Sequence, residues 1–166
     1  MPRRKITMER RFEASLKEVW ELWTTREGIE SWWGPEGFIV KVHKIDLRPG
    51  GELLYDMCAV GKDQVAFMKK AGMPTSTPAK IVFSEVIPEK RLGYLHLADF
   101  IPNVEPYNVE TLVELHPSPE GVRMVLTFEA MHSDEWTQRA VMGWEGELGK
   151  LSRVIEKNKS QSRSHS

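Results

Sequence analysis

The C-terminal part of the chain carries the feature that most limits its fold, a long amphipathic helix predicted to begin after Ser133 and to end near Lys157. Its apolar residues recur at steps of three or four and form one broad stripe: Trp136, Ala140, Val141, Trp144, Leu148, Leu151, Val154 and Ile155. At about 1.5 Å per residue the helix is roughly 37 Å long, so it can cross a whole domain. Such a stripe has to be buried against another apolar layer.

Alternating apolar and polar residues upstream of this helix predict strands that can supply that layer. The predicted strands are 5–12, 38–47, a segment around 53–57, 80–87, 91–100, 107–115 and 121–130. Proline or glycine marks the turns between them, as tight antiparallel connections require. The pattern therefore predicts a meander of strands.

Two short helices are predicted after the first strand. Ser15 and Glu18 form a capping box at the start of one, and Thr25 can cap the other, which Gly34 ends. Asp63 can cap a third short helix in the segment that interrupts the meander, and residues 73–78 after it are predicted to form a loop. Helices separated from sequential strands indicate an α+β class with an antiparallel sheet. We expect one domain over residues 1–158 and a disordered, serine-rich tail over 159–166.

Composition excludes several classes of function. The single cysteine, Cys58, precludes an intramolecular disulfide and argues against a cysteine-based zinc site. No histidine pair has a metal-ligand spacing, and a formal net charge of -1 gives no field for nucleic acid or an acidic membrane. The N-terminus lacks the apolar run of a signal peptide, and no segment has the length of a membrane span. We expect a soluble cytoplasmic protein without metal or cofactor.

Four separated motifs carry a resemblance to a known family. They are residues 12–20, the run Trp32-Trp33-Gly34-Pro35, residues 46–51, and Gly143-Trp144 with Leu148 and Leu151. In this order they are similar to the activator-of-Hsp90-ATPase-homologue-like branch of the START/Bet v 1 (SRPBCC) superfamily, over about residues 5–157. The resemblance implies a helix-grip fold, in which a curved antiparallel sheet of about seven strands surrounds the long C-terminal helix, with two short helices after strand 1. It also implies a hydrophobic cavity between sheet and helix.

The resemblance implies a binding protein for a small hydrophobic or aromatic ligand, with no evident catalytic set. Two alternatives remain open: an enzyme similar to polyketide cyclases, aromatases or hydrolases, and a module that interacts with a chaperone or regulator. Family members often form dimers, so a homodimer is a further expectation. The family name comes from an Hsp90 co-chaperone, but the resemblance concerns only its C-terminal domain. The sequence itself gives no support for an interaction with Hsp90.

The candidate ligand-binding residues are mostly aromatic. Phe67 and Met68 are chosen because a short surface helix has little reason to be apolar unless it covers something. Tyr94 and His96 share one strand face and are the best polar groups to orient a ligand. The tryptophans can serve either as core or as pocket wall, and core packing is the commoner role. The full set is Trp33, Phe38, Tyr55, Phe67, Met68, Tyr94, His96, Phe100, Trp136, Ala140 and Trp144.

Overall fold

The computed structural model of the chain describes residues 4–34, 36–98 and 103–164. Within these residues the strands are β1 (Lys5–Phe12), β2 (Phe38–Ile45), β3 (Glu52–Ala59), β4 (Ser76–Ile87), β5 (Arg91–Ala98), β6 (Tyr107–Ser118) and β7 (Gly121–Glu129). The helices are α1 (Leu16–Thr24), α2 (Arg26–Trp32), α3 (Lys62–Lys70) and α4 (Asp134–Ser164).

All seven strands form one antiparallel sheet in the order β1-β7-β6-β5-β4-β3-β2. From β2 to β7 each strand pairs with the next in sequence, whereas β1 joins the opposite edge by pairing with β7. The sheet is curved, and α4 lies along its inner face. This architecture confirms the predicted α+β helix-grip fold.

The two helices after β1 begin where the capping residues predict. The Ser15 Oγ accepts a hydrogen bond from the Glu18 backbone N–H at 3.0 Å, and the Thr25 Oγ1 accepts one from the Gly28 N–H at 3.0 Å. Gly34 follows α2 with a φ of 94°, a left-handed conformation that glycine adopts without strain. The capping side chains of Ser15 and Thr25 therefore mark where the two helices begin, and Gly34 marks where the second one has ended.

Two boundaries in the middle of the chain differ from prediction. β4 begins at Ser76 rather than at residue 80 and includes Pro78. Pro78 lies opposite Asp56 of β3, in the part of β4 before Ile81 that has no described partner in β5. On that unpaired side the missing N–H of a proline interrupts no described hydrogen bond. In addition, α3 starts after Gly61, which places Asp63 inside its first turn rather than at the cap.

Helix α4 is longer than predicted. Its start is confirmed, because the Trp136 N–H donates to the Ser133 Oγ at 3.3 Å. It continues past Lys157 to Ser164, so residues 159–164 are helical and not part of a disordered tail. Lys159 donates to the Glu13 carboxylate, a contact that holds this end against the start of α1. Residues 165 and 166, also assigned to the tail, lie outside the described residues.

The core lies between the inner face of the sheet and helices α1, α2 and α4. Leu148 and Leu151 of α4 are almost completely buried, as are Met124 and Leu126 of β7. Two indole N–H groups are satisfied inside this core: Trp23 donates to the Met124 sulfur at 3.3 Å, and Trp32 donates to the Leu22 carbonyl at 2.7 Å. Among the described residues, no helix is long and apolar enough to cross a membrane.

Candidate functional site

A pocket of about 290 Å³, the central pocket, lies between the inner face of the sheet and the first half of α4. Strands β3 to β7 form one wall and α4 the other, and the segment after α2 closes one end. Its lining residues are Trp33, Gly34, Tyr55, Met57, Ile81, Tyr94, His96, Val109, Thr111, Phe128, Glu129, Met131, Trp136, Arg139, Ala140, Gly143, Trp144 and Glu147.

Small residues on α4 leave this space open. Ala140 and Gly143 lie three residues apart on the face towards the sheet. A Cβ atom placed on Gly143 would meet no atom within 4 Å. One turn further along, Leu148 and Leu151 fill the same groove, where they are almost completely buried. The helix is therefore packed against the sheet along its second half and separated from it along part of its first half.

Aromatic rings line the α2 end of the central pocket. The Trp33 ring centroid lies 5.7 Å from that of Tyr55 and 6.0 Å from that of Tyr94. Behind it, Trp23 and Trp32 lie at 6.1 and 6.0 Å from the same ring. This cluster fixes the orientation of Trp33, because edge-on and tilted ring contacts are directional.

The Trp33 indole N–H has an unusual position in this cluster. The side chain is only 7% exposed, and its Nε1 is buried with no hydrogen-bond partner among the described residues. A buried donor without a partner destabilises a fold by about 1–3 kcal/mol. The N–H groups of the neighbouring Trp23 and Trp32 are both paired, whereas the fold leaves the buried Trp33 donor unused within the described residues.

Glu147 places a carboxyl group in this apolar setting. Burial raises its pKa to about 7, although the nearby Lys150 ammonium acts in the opposite direction. Glu147 is half-buried and lines the central pocket. Burial first, and the Glu147 charge second, also raise the pKa of the Tyr55 and Tyr94 phenols. All three groups therefore tend to keep their protons.

Lys150 fastens α4 to the segment that follows α2. Its Nζ donates to the Gly34 and Phe38 carbonyl oxygens at 3.0 Å each, and to the Trp33 carbonyl at 3.4 Å. Burial lowers the pKa of this ammonium group, while Glu147 raises it. These contacts close the α2 end of the central pocket. They also occupy the hydrogen-bond donors of Lys150, which is the cation nearest to Glu147 along α4.

The other end of the central pocket is more polar. The Arg139 guanidinium lies 4.7 Å from the centroid of the Trp136 ring and pairs with Glu135 at 2.9 Å. Nearby, the Tyr107 hydroxyl and the His132 Nδ1 are 2.9 Å apart. In the described part of the chain, no group of three or more His, Cys, Asp or Glu side chains could hold a metal ion.

The structure brings together most of the candidate residues chosen from the sequence. Those that line the central pocket are Trp33, Tyr55, Tyr94, His96, Trp136, Ala140 and Trp144. The inward face that His96 and Tyr94 share is observed, since Tyr94 and Leu92 on the same face are buried. Phe100 lies outside the described residues.

Three candidates do not line the central pocket. Phe67 and Met68 lie on α3, which contacts the sheet at β3 and buries none of its residues. The Phe67 side chain is 67% exposed, so its apolar character did not indicate a cover over the pocket. Phe38 starts β2, the edge strand covered by α2, and the central pocket reaches only as far as β3.

Glu147 is one of the pocket residues that the sequence analysis did not select. The others are Gly34, Met57, Ile81, Val109, Thr111, Phe128, Glu129, Met131, Arg139 and Gly143. The sequence pattern suggested a solvated position, because Glu147 lies off the main apolar stripe of the helix. Its spacing was nevertheless informative: Ala140, Gly143, Trp144 and Glu147 are related by steps of three, four and seven, which places them on one helix face. Small residues at the first two positions could have identified this face as the one turned to an open space.

Comparisons with known proteins agree with this fold. The family model described as "Activator of Hsp90 ATPase homolog 1-like protein" matches residues 13–156. An AHSA1-like protein from Aeromonas hydrophila has 23% identity and a TM-score of 0.72, with 94% of each chain covered. The AHSA1 protein from Silicibacter pomeroyi has 18% identity and a TM-score of 0.73, covering 93% of this chain and 99% of that one.

A third structure, of a protein from Chromobacterium violaceum, has 20% identity and a TM-score of 0.71, covering 92% of this chain and 98% of that one. At these identities the similarity concerns the fold alone. No curated protein matches the chain significantly.

Proposed function

The chain belongs to the family of activator of Hsp90 ATPase homolog 1-like proteins, and from this premise we propose that it binds a small, largely apolar molecule in the central pocket. The START/Bet v 1-like fold of this family typically binds ligands. The observation that carries the proposal is the open space beside Ala140 and Gly143, bounded by aromatic side chains.

The size of the central pocket limits the ligand. Its volume of about 290 Å³ lies at the lower end of small-molecule sites, which span about 300–1,000 Å³. This favours a compact aromatic molecule over a long acyl chain. Burial of apolar ligand surface would supply the affinity, at about 25 cal/mol per Å² before the costs of ordering.

The enzymatic alternative keeps one supporting observation. Glu147 has a pKa raised to about 7, a value suited to proton transfer near neutral pH. A single carboxyl without an identified nucleophile or substrate makes this the second candidate. Cytoplasmic location, homodimer formation and a chaperone partner stay predictions.

A ligand screen tests the proposed function. Thermal shift with flavonoids, polyketide-like aromatics, smaller bicyclic compounds and fatty acids should identify at least one compact aromatic that stabilises the protein. Amide chemical-shift changes should then localise to the strands and helix around the central pocket. If none of these compounds binds, or if the shifts fall on another surface, the proposal is wrong.

A pocket-filling variant provides the sharper test. Gly143→Leu should abolish binding, since its side chain enters the open space. Replacing a helical glycine also gains helix propensity, up to about 1 kcal/mol, so the variant should remain folded. Gly149→Leu is the matched control, because Gly149 lies on the same helix but does not line the central pocket. The control should bind as the wild type does.

A further inference from the structure

A positive charge lies at the polar end of the central pocket. Among the described residues that line this pocket, Arg139 is the only lysine or arginine. Its side chain is 58% exposed, so it lies where the pocket meets the solvent. Gly143 follows Arg139 by four residues, which places the two on the same face of α4. A ligand in the open space beside Gly143 would therefore have the guanidinium group next to it.

A series of ring contacts holds the Arg139 guanidinium in place. Its Cζ lies over the Trp136 ring, 4.7 Å from the ring centroid, and such stacking orients the planar group. The Trp136 ring lies 6.3 Å from the His132 ring. The His132 Nδ1 is in turn hydrogen-bonded to the Tyr107 hydroxyl at 2.9 Å. These contacts connect Arg139 to β6, so its position does not depend on a ligand.

Most hydrogen-bond donors of Arg139 have no partner within the described residues. A guanidinium group carries five N–H donors. One described hydrogen bond uses them, from the Arg139 Nη2 to the Glu135 carboxylate at 2.9 Å. Both side chains of this pair are more than half exposed, and exposed pairs of this kind contribute little free energy. Glu135 is therefore a weak competitor for another anion.

We propose that Arg139 forms a subsite for the carboxylate of an aromatic acid, whose ring lies in the central pocket beside Ala140 and Gly143. A guanidinium group binds a carboxylate through its charge and through parallel N–H donors. The inference rests on the proposed function and narrows it to one ligand class, compact aryl carboxylates.

Neither of the two carboxyl groups that line the central pocket is paired with Arg139 in the described structure. The Glu129 Oε1 accepts a hydrogen bond from the Glu110 backbone N–H at 2.8 Å. Glu147 lies eight residues after Arg139, about 12 Å further along the helix axis. Burial raises the pKa of Glu147 to about 7, so this group is mostly uncharged below that pH. An aromatic interior with a cation at one end suits an amphipathic anion.

The compounds 2-naphthoate and 2-naphthamide test the subsite, because they share a ring system and a shape and differ in charge. Isothermal titration at about pH 6.5 and low salt should show naphthoate binding about three- to tenfold more tightly, the effect of hydrogen bonds to a charged group. An increase in NaCl from about 0.05 M to about 0.5 M should reduce this preference, because exposed charges are screened. The affinity for naphthamide should change by less than about twofold.

Two arginine variants locate the charge that is responsible. Arg139→Gln removes the charge and keeps a residue of similar helix propensity, so it should fold and should reduce the ratio of the two affinities to about one. Arg153→Gln is the matched control, because Arg153 is an exposed arginine on the same helix that does not line the central pocket. It removes the same charge and should keep the preference. Thermal unfolding checks that both variants are folded.

The outcomes distinguish this inference from the proposed function. If the wild type binds both probes equally, or naphthamide more tightly, the pocket binds ligands but the carboxylate subsite is wrong. A preference that survives in Arg139→Gln would assign it to another group, such as His96, and would overturn the inference. An equal loss in Arg153→Gln would show a general effect of net charge and would also overturn it.

Failure of the probes themselves is equally informative. If neither naphthoate nor naphthamide binds the wild type while another compact aromatic does, the subsite is wrong and the pocket proposal stands. If no compact aromatic binds at all, the proposed function fails together with the subsite.

Discussion

The pKa of Glu147 is set by the tertiary surroundings of its side chain, which the helical pattern of the sequence does not reveal. In the sequence Glu147 lies off the main apolar stripe of the helix, and charged residues at such positions are usually solvated. In the structure it faces the central pocket beside Ala140 and Gly143, where burial raises its pKa to about 7. The helical period could place these residues on one face, but only the tertiary structure shows that the face borders an open space.

We predict that Glu147 makes the stability of the protein depend on pH. Its folded-state pKa of about 7 lies above the ordinary value of 4.5, so the folded state binds the proton more tightly than the unfolded state. The resulting stabilisation is fully present below about pH 4.5 and is lost as the pH rises through about 7. Glu147→Gln should therefore be more stable than the wild type at pH 8, by on the order of 2 kcal/mol.

Urea unfolding at about pH 5 and pH 8 measures this difference. Glu145→Gln, an exposed neighbour on the same helix, is the control and should leave the gap between the two pH values unchanged. A Glu147→Gln variant that keeps the wild-type gap would show that another group dominates the titration.

At the scale of elements, α4 divides into two halves with different tasks. Its second half packs Leu148, Leu151 and Ile155 into the core, where each is at most 2% exposed. Its first half presents Ala140 and Gly143 to the central pocket. The same apolar stripe therefore supplies stability at one end and a binding surface at the other.

We predict that truncation in the packed half is costly. Leu151→Ala removes a completely buried side chain, so it should lower the free energy of unfolding by about 2–5 kcal/mol. Met142→Ala on the same helix is the comparison, because Met142 is 71% exposed and its loss should change stability by less than about 0.5 kcal/mol. Chemical denaturation measures both. Equal effects of the two substitutions would contradict the packed-half assignment.

The elements were predictable where local chemistry decides them. The capping residues Ser15, Thr25 and Ser133 marked three helix starts, and inward-facing residues at alternate positions identified the strands. Predictions failed where a distant partner decides. Pro78 suggested a loop, yet it lies in β4 because the strand there pairs with β3. The end of α4 was also predicted too early, and Lys159 in its last turns contacts Glu13, which is far away in sequence.

For the whole molecule, the decisive connection is the one between β1 and β7. The residues of β1 pair in register with β7, from Lys5 opposite Glu129 to Phe12 opposite Val122. This pairing joins the start of the chain to its last strand. Strand alternation predicted that β1 exists, but it carried no information about which edge of the sheet β1 occupies.

We predict that β1 is needed for the protein to stay unassociated and to unfold cooperatively. Deletion of residues 1–12 should leave β7 as an unpaired edge beside an apolar face, and exposed edges of this kind promote association between chains. Size-exclusion chromatography should show oligomers or aggregate, with loss of cooperative thermal unfolding. Thr7→Ala, which changes an exposed side chain and keeps the strand, should behave as the wild type. A monomeric deletion variant with cooperative unfolding would contradict the prediction.

Three indole rings border the central pocket, that of Trp33 after α2 and those of Trp136 and Trp144 on α4. A ligand in the central pocket would contact tryptophan side chains, which dominate the near-ultraviolet fluorescence of the protein. Quenching or a spectral shift of the intrinsic tryptophan fluorescence can therefore report ligand binding without an attached dye.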